Sequence, residues 1–228
     1  KIMNIHIQDP KVSLNNFDYV VAPEHDGLEG INVLKSKGAI HYLTEAELVE
    51  NINYLKPRIK KKKVIVFIAG GPNKYYNFND KIIEKIFIKT KKNFINQDYQ
   101  LIFIPSMRTP RRIVDKAQDF FDDDQIIISD IDKKAYLSAL SLADHIIVTC
   151  DSTSMISEAA MTGRPIYVAQ MPSIKKNIRF QKFFELFKSL DIIKNLEDKV
   201  EEWSYKKLNE THRISGYIEK QFKDYDFS

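Results

Sequence analysis

The chain has 228 residues, 43% of them apolar and 11% aromatic, enough for a sizeable hydrophobic core and one to one and a half ordinary domains. Its formal net charge of +4 is too mild to argue for a nucleic-acid partner, and no apolar run reaches the roughly 18 residues of a membrane span. A single cysteine excludes an internal disulfide and fits a reducing, cytoplasmic compartment; no signal peptide is expected at the start.

Taken in chain order, Asn4–Gln8, Phe17–Ala22 and Ala39–Thr44 read as short strands, with the acidic tip Glu24-His25-Asp26-Gly27 among the turns between them. Three short strands with little helix do not make a stable domain, so residues 1–57 read as the C-terminal part of a preceding α/β domain. Residues 58–63, within the run KPRIKKKK from Lys56 to Lys63, read as a basic linker; a solvated charge run before a strand describes them equally well.

From there strand and helix patterns alternate. Val64–Ala69 is a β-branched apolar run that stops at Gly70-Gly71-Pro72. Asn79 caps a helix with Ile82, Ile83, Ile86 and Phe87 on one face. Leu101–Ile104 is the next strand, and Thr109-Pro110 reads as N-cap and first residue of a helix through Phe121. Gln125–Ser129 is a third strand, Asp132 caps a helix to Ala143, and His145–Cys150 is a fourth strand. A helix over about Thr153–Thr162 and a fifth strand at Pro165–Ala169 follow, with Gly163 as the residue that ends the helix. Five apolar strands separated by helices predict a parallel sheet covered on both faces, within a domain over residues 64–212. Phe180–Leu190 reads as an aromatic, amphipathic helix. Arg213–Phe222 reads as a last helix within a C-terminal segment, 213–228.

In such a sheet, ligands bind outside the carboxyl ends of the strands. Those ends carry Gly70, Gly71, Asn73 and Lys74, then Arg108, then Ser152, Thr153 and Ser154. Paired glycines let backbone amides approach a phosphate, and Lys74 adds charge; a plain tight turn explains the glycines equally well. A helix beginning at Ser152–Ser154 offers free N–H groups, hydroxyls and the positive end of its dipole, the alternative being ordinary capping. Glu158 is not explained by a capping box, since Met155 stands three residues before it. A carboxylate there is placed to accept bonds from ribose hydroxyls, or simply sits favourably in the helix dipole. His25 and Asp26 follow a strand and could supply a general base. The five histidines show no metal-ligand spacing, Cys150 reads as a core thiol, and neither a Walker loop nor a nucleophile elbow is present.

A strand, then Asp-Ser-x-Ser-Met-x-x-Glu-Ala, then Gly-x-Pro and a strand, resembles the nucleotide-sugar half of GT-B glycosyltransferases such as lipid-A-disaccharide synthase and the peptidoglycan N-acetylglucosaminyltransferase. The chain is more closely similar to the bacterial relatives of the plant mitochondrial fission factor named for elongated mitochondria. That resemblance rests on Ile7-Gln8-Asp9-Pro10, Phe17-Asp18 through Pro23-Glu24-His25-Asp26, and Gly70 to Tyr76. It continues at Arg108-Thr109-Pro110, Thr149 to Ala159, and Gly163-Arg164-Pro165-Ile166-Tyr167-Val168. It implies an α/β fold: a Rossmann-like parallel-sheet domain of GT-B type, with the terminal strands of a second, incomplete α/β domain. It also implies a nucleoside-diphosphate sugar as partner, no metal or other cofactor, Gly70, Gly71 and Ser152–Ser154 near the diphosphate, and Glu158 near the ribose. His25 and Asp26 are then the candidate catalytic residues. The activities left open are a glycosyltransferase, a non-catalytic adaptor that kept the fold, and a sugar-nucleotide epimerase. Peripheral contact with the inner membrane through Phe180–Phe187 and the lysine run is the alternative to a core-facing aromatic helix.

Overall fold

Two parallel sheets hold all the named strands among the described residues, 2–197 and 199–223, of the computed structural model. The smaller has the order β1 (Ile5–Ile7), β2 (Tyr19–Pro23) and β3 (Val33–Ser36). The larger has six strands: β4 (Lys63–Ala69), β5 (Tyr99–Pro105), β6 (Ile126–Ile127), β7 (His145–Thr149), β8 (Ile166–Ala169) and β9 (Ile193–Asn195). Their spatial order is β6-β5-β4-β7-β8-β9, the doubly wound order in which the chain builds outward from β4 in one direction and then in the other. The direction reverses between β4 and β7, so the topological switch point lies between their carboxyl ends.

The central strands are buried throughout, which is why they read as unbroken apolar runs rather than alternating ones. Phe67, Phe87 and Phe103 meet at ring-centroid distances of 5.5 to 5.9 Å in the middle of the core. Around the sheet lie α2 (Asp80–Asn93), α3 (Arg111–Phe120), α4 (Lys133–Leu142), α5 (Thr153–Ala160) and α6 (Ile178–Ser189). Asn79 and Asp132 cap α2 and α4 as expected, accepting from the N–H groups of Ile82 and Ala135. Phe183 and Phe187 of α6 are fully buried, so this aromatic helix faces the core.

Several expectations need correction. The third strand of the N-terminal region is Val33–Ser36, not Ala39–Thr44. The latter segment satisfies its backbone on side chains: Ser157 Oγ accepts from Ala39 N–H at 3.0 Å, and Thr211 Oγ1 bridges His41 N–H and C=O. Its last residue, Thr44, caps α1 (Glu45–Asn51), a helix absent from the expected elements, through a capping box with Glu47. Thr109 does not cap α3; Pro110 holds that position. The Thr109 hydroxyl instead accepts from Ser106 N–H and lies 2.8 Å from the carbonyls of Ala69 and Gly70. A sixth strand, β9, extends the sheet beyond the five expected.

The basic run before β4 is pinned by the buried Gln100, whose amide donates to Arg58 C=O and accepts from Lys60 N–H. The last helix, α7 (Glu210–Lys223), starts three residues earlier than expected and returns to the small sheet. There Arg213 donates to Lys35 C=O and Tyr19 OH donates to Gln221 Oε1. Residues 224–228 of the expected C-terminal segment lie outside the described residues.

Candidate functional site

The stretch that opens α5, Asp151 to Ser154, carries more small polar residues than one cap requires, and each has a different task. Ser152 is the N-cap, accepting from Met155 N–H at 3.4 Å. Thr153 and Ser154 occupy the first two helical positions, where N–H groups lack intrahelical partners, and Ser154 is exposed. Asp151 turns inward. Its side chain is fully buried at the switch point, where Oδ2 accepts from Gly71 N–H at 3.0 Å and from Arg108 Nη2 at 2.7 Å.

This changes the reason for the glycine pair. A Cβ on Gly70 would stand 2.2 Å from the Asp151 carboxylate, and one on Gly71 would stand 2.0 Å from the Arg108 carbonyl oxygen. Glycine is required because three chain segments converge there. The amides expected to cradle a diphosphate are taken: Gly70 N–H donates to Thr149 Oγ1 at 2.8 Å and Gly71 N–H to Asp151. Asn73 is likewise structural, donating to Asp151 C=O and accepting from Tyr75 and Tyr76 N–H groups. Lys74 is exposed, with its ammonium 5.2 Å from the Tyr75 ring centroid.

Beside this junction opens a cavity of about 440 Å³. The ends of β4 and β5 supply Ile68, Ile104, Ser106, Met107 and Arg108; the start of α4 supplies Ile131, Asp132, Lys133 and Tyr136; α5 supplies Ser152, Met155 and Glu158; Tyr42 stands on the far side. Three expected residues, Arg108, Ser152 and Glu158, therefore share one cavity. Gly70, Gly71, Asn73, Lys74, Thr153, Ser154, His25 and Asp26 are not among the residues that line it.

Glu158 accepts from Tyr136 OH at 2.6 Å. Burial pushes its carboxyl above the usual carboxylate range, and the Tyr136 bond pulls back in the opposite direction. Burial and the neighbouring carboxylate raise the Tyr136 hydroxyl well above its ordinary value, so the tyrosine stays a donor. Lys133 is compensated by Glu47 at 2.8 Å, and Asp132 caps α4 while accepting from Tyr54 OH. Arg108 is left as the cavity's cation without a solvent-exposed partner, its own partner being the buried Asp151.

His25 and Asp26 sit elsewhere. The His25 ring packs edge-on against Phe183 at 5.2 Å, is buried, and has no hydrogen-bond partner at Nδ1. Burial lowers its pKa, partly offset by Asp26. Asp26 is held by Arg179, from Nε at 2.7 Å and Nη2 at 2.5 Å, beside a smaller cavity of about 150 Å³ that also involves Gln8, Asp9 and Lys11. Cys150 accepts from Met171 N–H, and burial pushes its thiol up to about 12, the state of an inert core residue. Among the described residues no group of His, Cys, Asp or Glu is arranged to hold a metal ion, and no helix is long and apolar enough to cross a membrane.

Sequence reasoning missed Asp151, Tyr136 and Tyr42. The sequence places Asp151 among the small polar residues at a strand end without showing its partners Gly71 and Arg108, which come from two other strand ends. Tyr136 lies 22 residues from Glu158 on another helix, and no local pattern joins them.

The profile of the family described as mitochondrial fission ELM1 matches residues 1–222. The uncharacterized protein RP120 of Rickettsia prowazekii is 27% identical over 207 residues, covering 88% of this chain and 58% of RP120. The mitochondrial fission protein ELM1 of Arabidopsis thaliana is 24% identical over 245 residues, covering 95% of this chain and 57% of that protein. The chain thus spans less than three fifths of the length of either relative. Among solved structures, the UDP-GlcNAc 2-epimerase of Methanocaldococcus jannaschii superposes with a TM-score of 0.50 at 13% identity, covering 90% of this chain and 63% of that one; this is a likeness of fold alone. The fold is α/β of the GT-B type, and the chain belongs to the mitochondrial fission ELM1 family.

Proposed function

We propose that this chain binds a nucleoside-diphosphate sugar in the cavity beside α5, as the donor-binding part of a glycosyltransferase. The observation that carries the reading is the lining of that cavity: an apolar wall from Ile68, Ile104, Met107, Ile131 and Met155, with Arg108, Ser152 and Glu158 on its polar side. A nucleobase matches the first, an anionic diphosphate the guanidinium and the start of α5, and ribose hydroxyls the carboxylate. Electrostatic stabilisation of a leaving diphosphate by such groups needs no metal. The likeness in fold to a UDP-GlcNAc 2-epimerase is compatible with a sugar nucleotide and does not choose among activities.

A second reading has its own observation. His25 is buried against Phe183 and Asp26 is tied to Arg179, so in this conformation neither offers a free base to the large cavity. That favours a binding module that kept the nucleotide site without the chemistry. The buried Phe183 and Phe187 favour a core role for α6 over contact with the inner membrane, and the lone buried thiol suits the cytoplasm.

Thermal shift with UDP-, GDP- and ADP-sugars tests binding. A ligand at about a hundred times its Kd stabilises by about 2.7 kcal/mol, and Glu158→Ala is expected to remove that shift. If none of these nucleotides stabilises the protein, the reading fails. Release of free nucleoside diphosphate from a bound sugar nucleotide separates the enzyme from the binding module.

A further inference from the structure

We propose that Asp151 is a positioning residue. From its buried place at the switch point it holds the Arg108 guanidinium at the cavity rim as a receptor for a diphosphate. The inference rests on the nucleotide-sugar reading of the cavity and adds a residue that reading does not contain.

Asp151 is fully buried on its side-chain atoms, whereas Arg108 is 42% exposed and lines the cavity. Arg108 uses Nη2 on Asp151 at 2.7 Å and Nη1 on Gly71 C=O at 3.3 Å. A guanidinium has five N–H donors in a planar fork, so fixing one edge on the protein leaves the others directed by that anchorage. The anchorage is firm on the carboxylate side. Asp151 Oδ2 also takes Gly71 N–H, and its own backbone C=O accepts from Asn73 Nδ2.

Stability alone does not account for this arrangement. The pair contributes little net stability compared with apolar packing, because the Asp151 charge must leave water entirely. Here the cost is larger still, since Asp151 Oδ1 is buried without any hydrogen-bond partner. Two glycines are also committed to making room for the carboxylate and for Arg108. What the pair achieves is a cation whose fork is set before a ligand arrives, on a cavity that Ser152, the N-cap of α5, also lines. Preorganised donors of that kind recognise a diphosphate at low reorganisation cost.

Isothermal titration of the folded protein with UDP, uridine and inorganic pyrophosphate tests the idea. Asp151→Asn is expected to weaken UDP and pyrophosphate about tenfold while leaving uridine unchanged, the loss of roughly one charge-assisted bond. Arg108→Lys keeps the charge and loses the fork, so it is expected to weaken the same two ligands alike and also to leave uridine unchanged. It serves as the second variant if Asp151→Asn fails to fold. An unchanged preference for UDP over uridine in these variants overturns the proposal and leaves nucleotide binding intact. Pyrophosphate binding that is sensitive to both substitutions, with no nucleotide bound, overturns the nucleotide-sugar reading and leaves Asp151 in its role. A wild-type protein that binds neither pyrophosphate nor any of UDP, GDP and ADP overturns both.

Discussion

Glu158 and Tyr136 show how one hydrogen bond shifts the ionisation of a cavity carboxylate. Only the ionised carboxylate accepts from both hydroxyls of a ribose, and burial raises the pH at which Glu158 ionises. Affinity for a sugar nucleotide is therefore expected to rise with pH through that elevated pKa and to level off above it. Tyr136 OH favours the ionised form, so Tyr136→Phe should move the midpoint upward. Dissociation constants measured from about pH 5 to 8 would show it, and an unmoved midpoint would separate the two side chains functionally. Glu158 was legible in the sequence because no capping partner stood three residues before it. Arg108 was legible because it follows a strand. Asp151 was not, because its role depends on Gly70, Gly71 and Arg108 arriving from two other strand ends.

The plainest strands in the sequence are the four central ones of the large sheet, though Ile5–Ile7, Tyr19–Pro23 and Ile126–Ile127 also fall where strands were expected. Lys63–Ala69, Tyr99–Pro105, His145–Thr149 and Ile166–Ala169 are buried at every position but Lys63 and are mostly apolar, and such runs stand out without a partner being known. Val33–Ser36 and Ile193–Asn195 are short and partly polar, and each lies at the edge of its sheet with a single neighbour, Tyr19–Pro23 and Ile166–Ala169. Ala39–Thr44 misled because β-rich composition says nothing about whether an adjacent strand exists. The glycine turn carries the prediction at this scale. Gly71→Ala forces a methyl group within 2.0 Å of the Arg108 carbonyl, a backbone atom held by β5 and α3. A loss of about 3 kcal/mol in a urea or guanidinium titration is expected, with the slope of the transition unchanged. A Gly71→Ala protein as stable as wild type would mean that the three strand ends are less closely joined than described.

At the scale of the molecule, three imidazoles among the described residues are buried with Nδ1 unpartnered: His25, His41 and His145. Burial lowers all three pKa values below the ordinary 6.5, so the folded protein keeps them neutral while the unfolded chain takes up protons. Their stabilising contribution is complete above about pH 6.5 and is lost as the pH falls toward the lower folded values. Thermal midpoints should decline over that interval. His145→Phe, placed among Phe94, Tyr99 and Tyr167, should make the decline shallower. An identical slope in that variant would assign the acid sensitivity to other groups. The family and the doubly wound domain were legible at this scale because short motifs fell in the right order; the way α7 packs on the small sheet was not, since it rests on scattered polar contacts.

One carboxylate shared by the ends of β4, β5 and β7 leaves no slack along the upper rim of the large sheet. That wall of the cavity is cross-braced through Asp151 Oδ2, which takes Gly71 N–H and Arg108 Nη2. Under the proposed reading a nucleotide sugar meets this wall already braced, while Tyr42, which lines the same cavity, stands exposed on a segment moored to α5 and α7 by side chains instead of by a sheet.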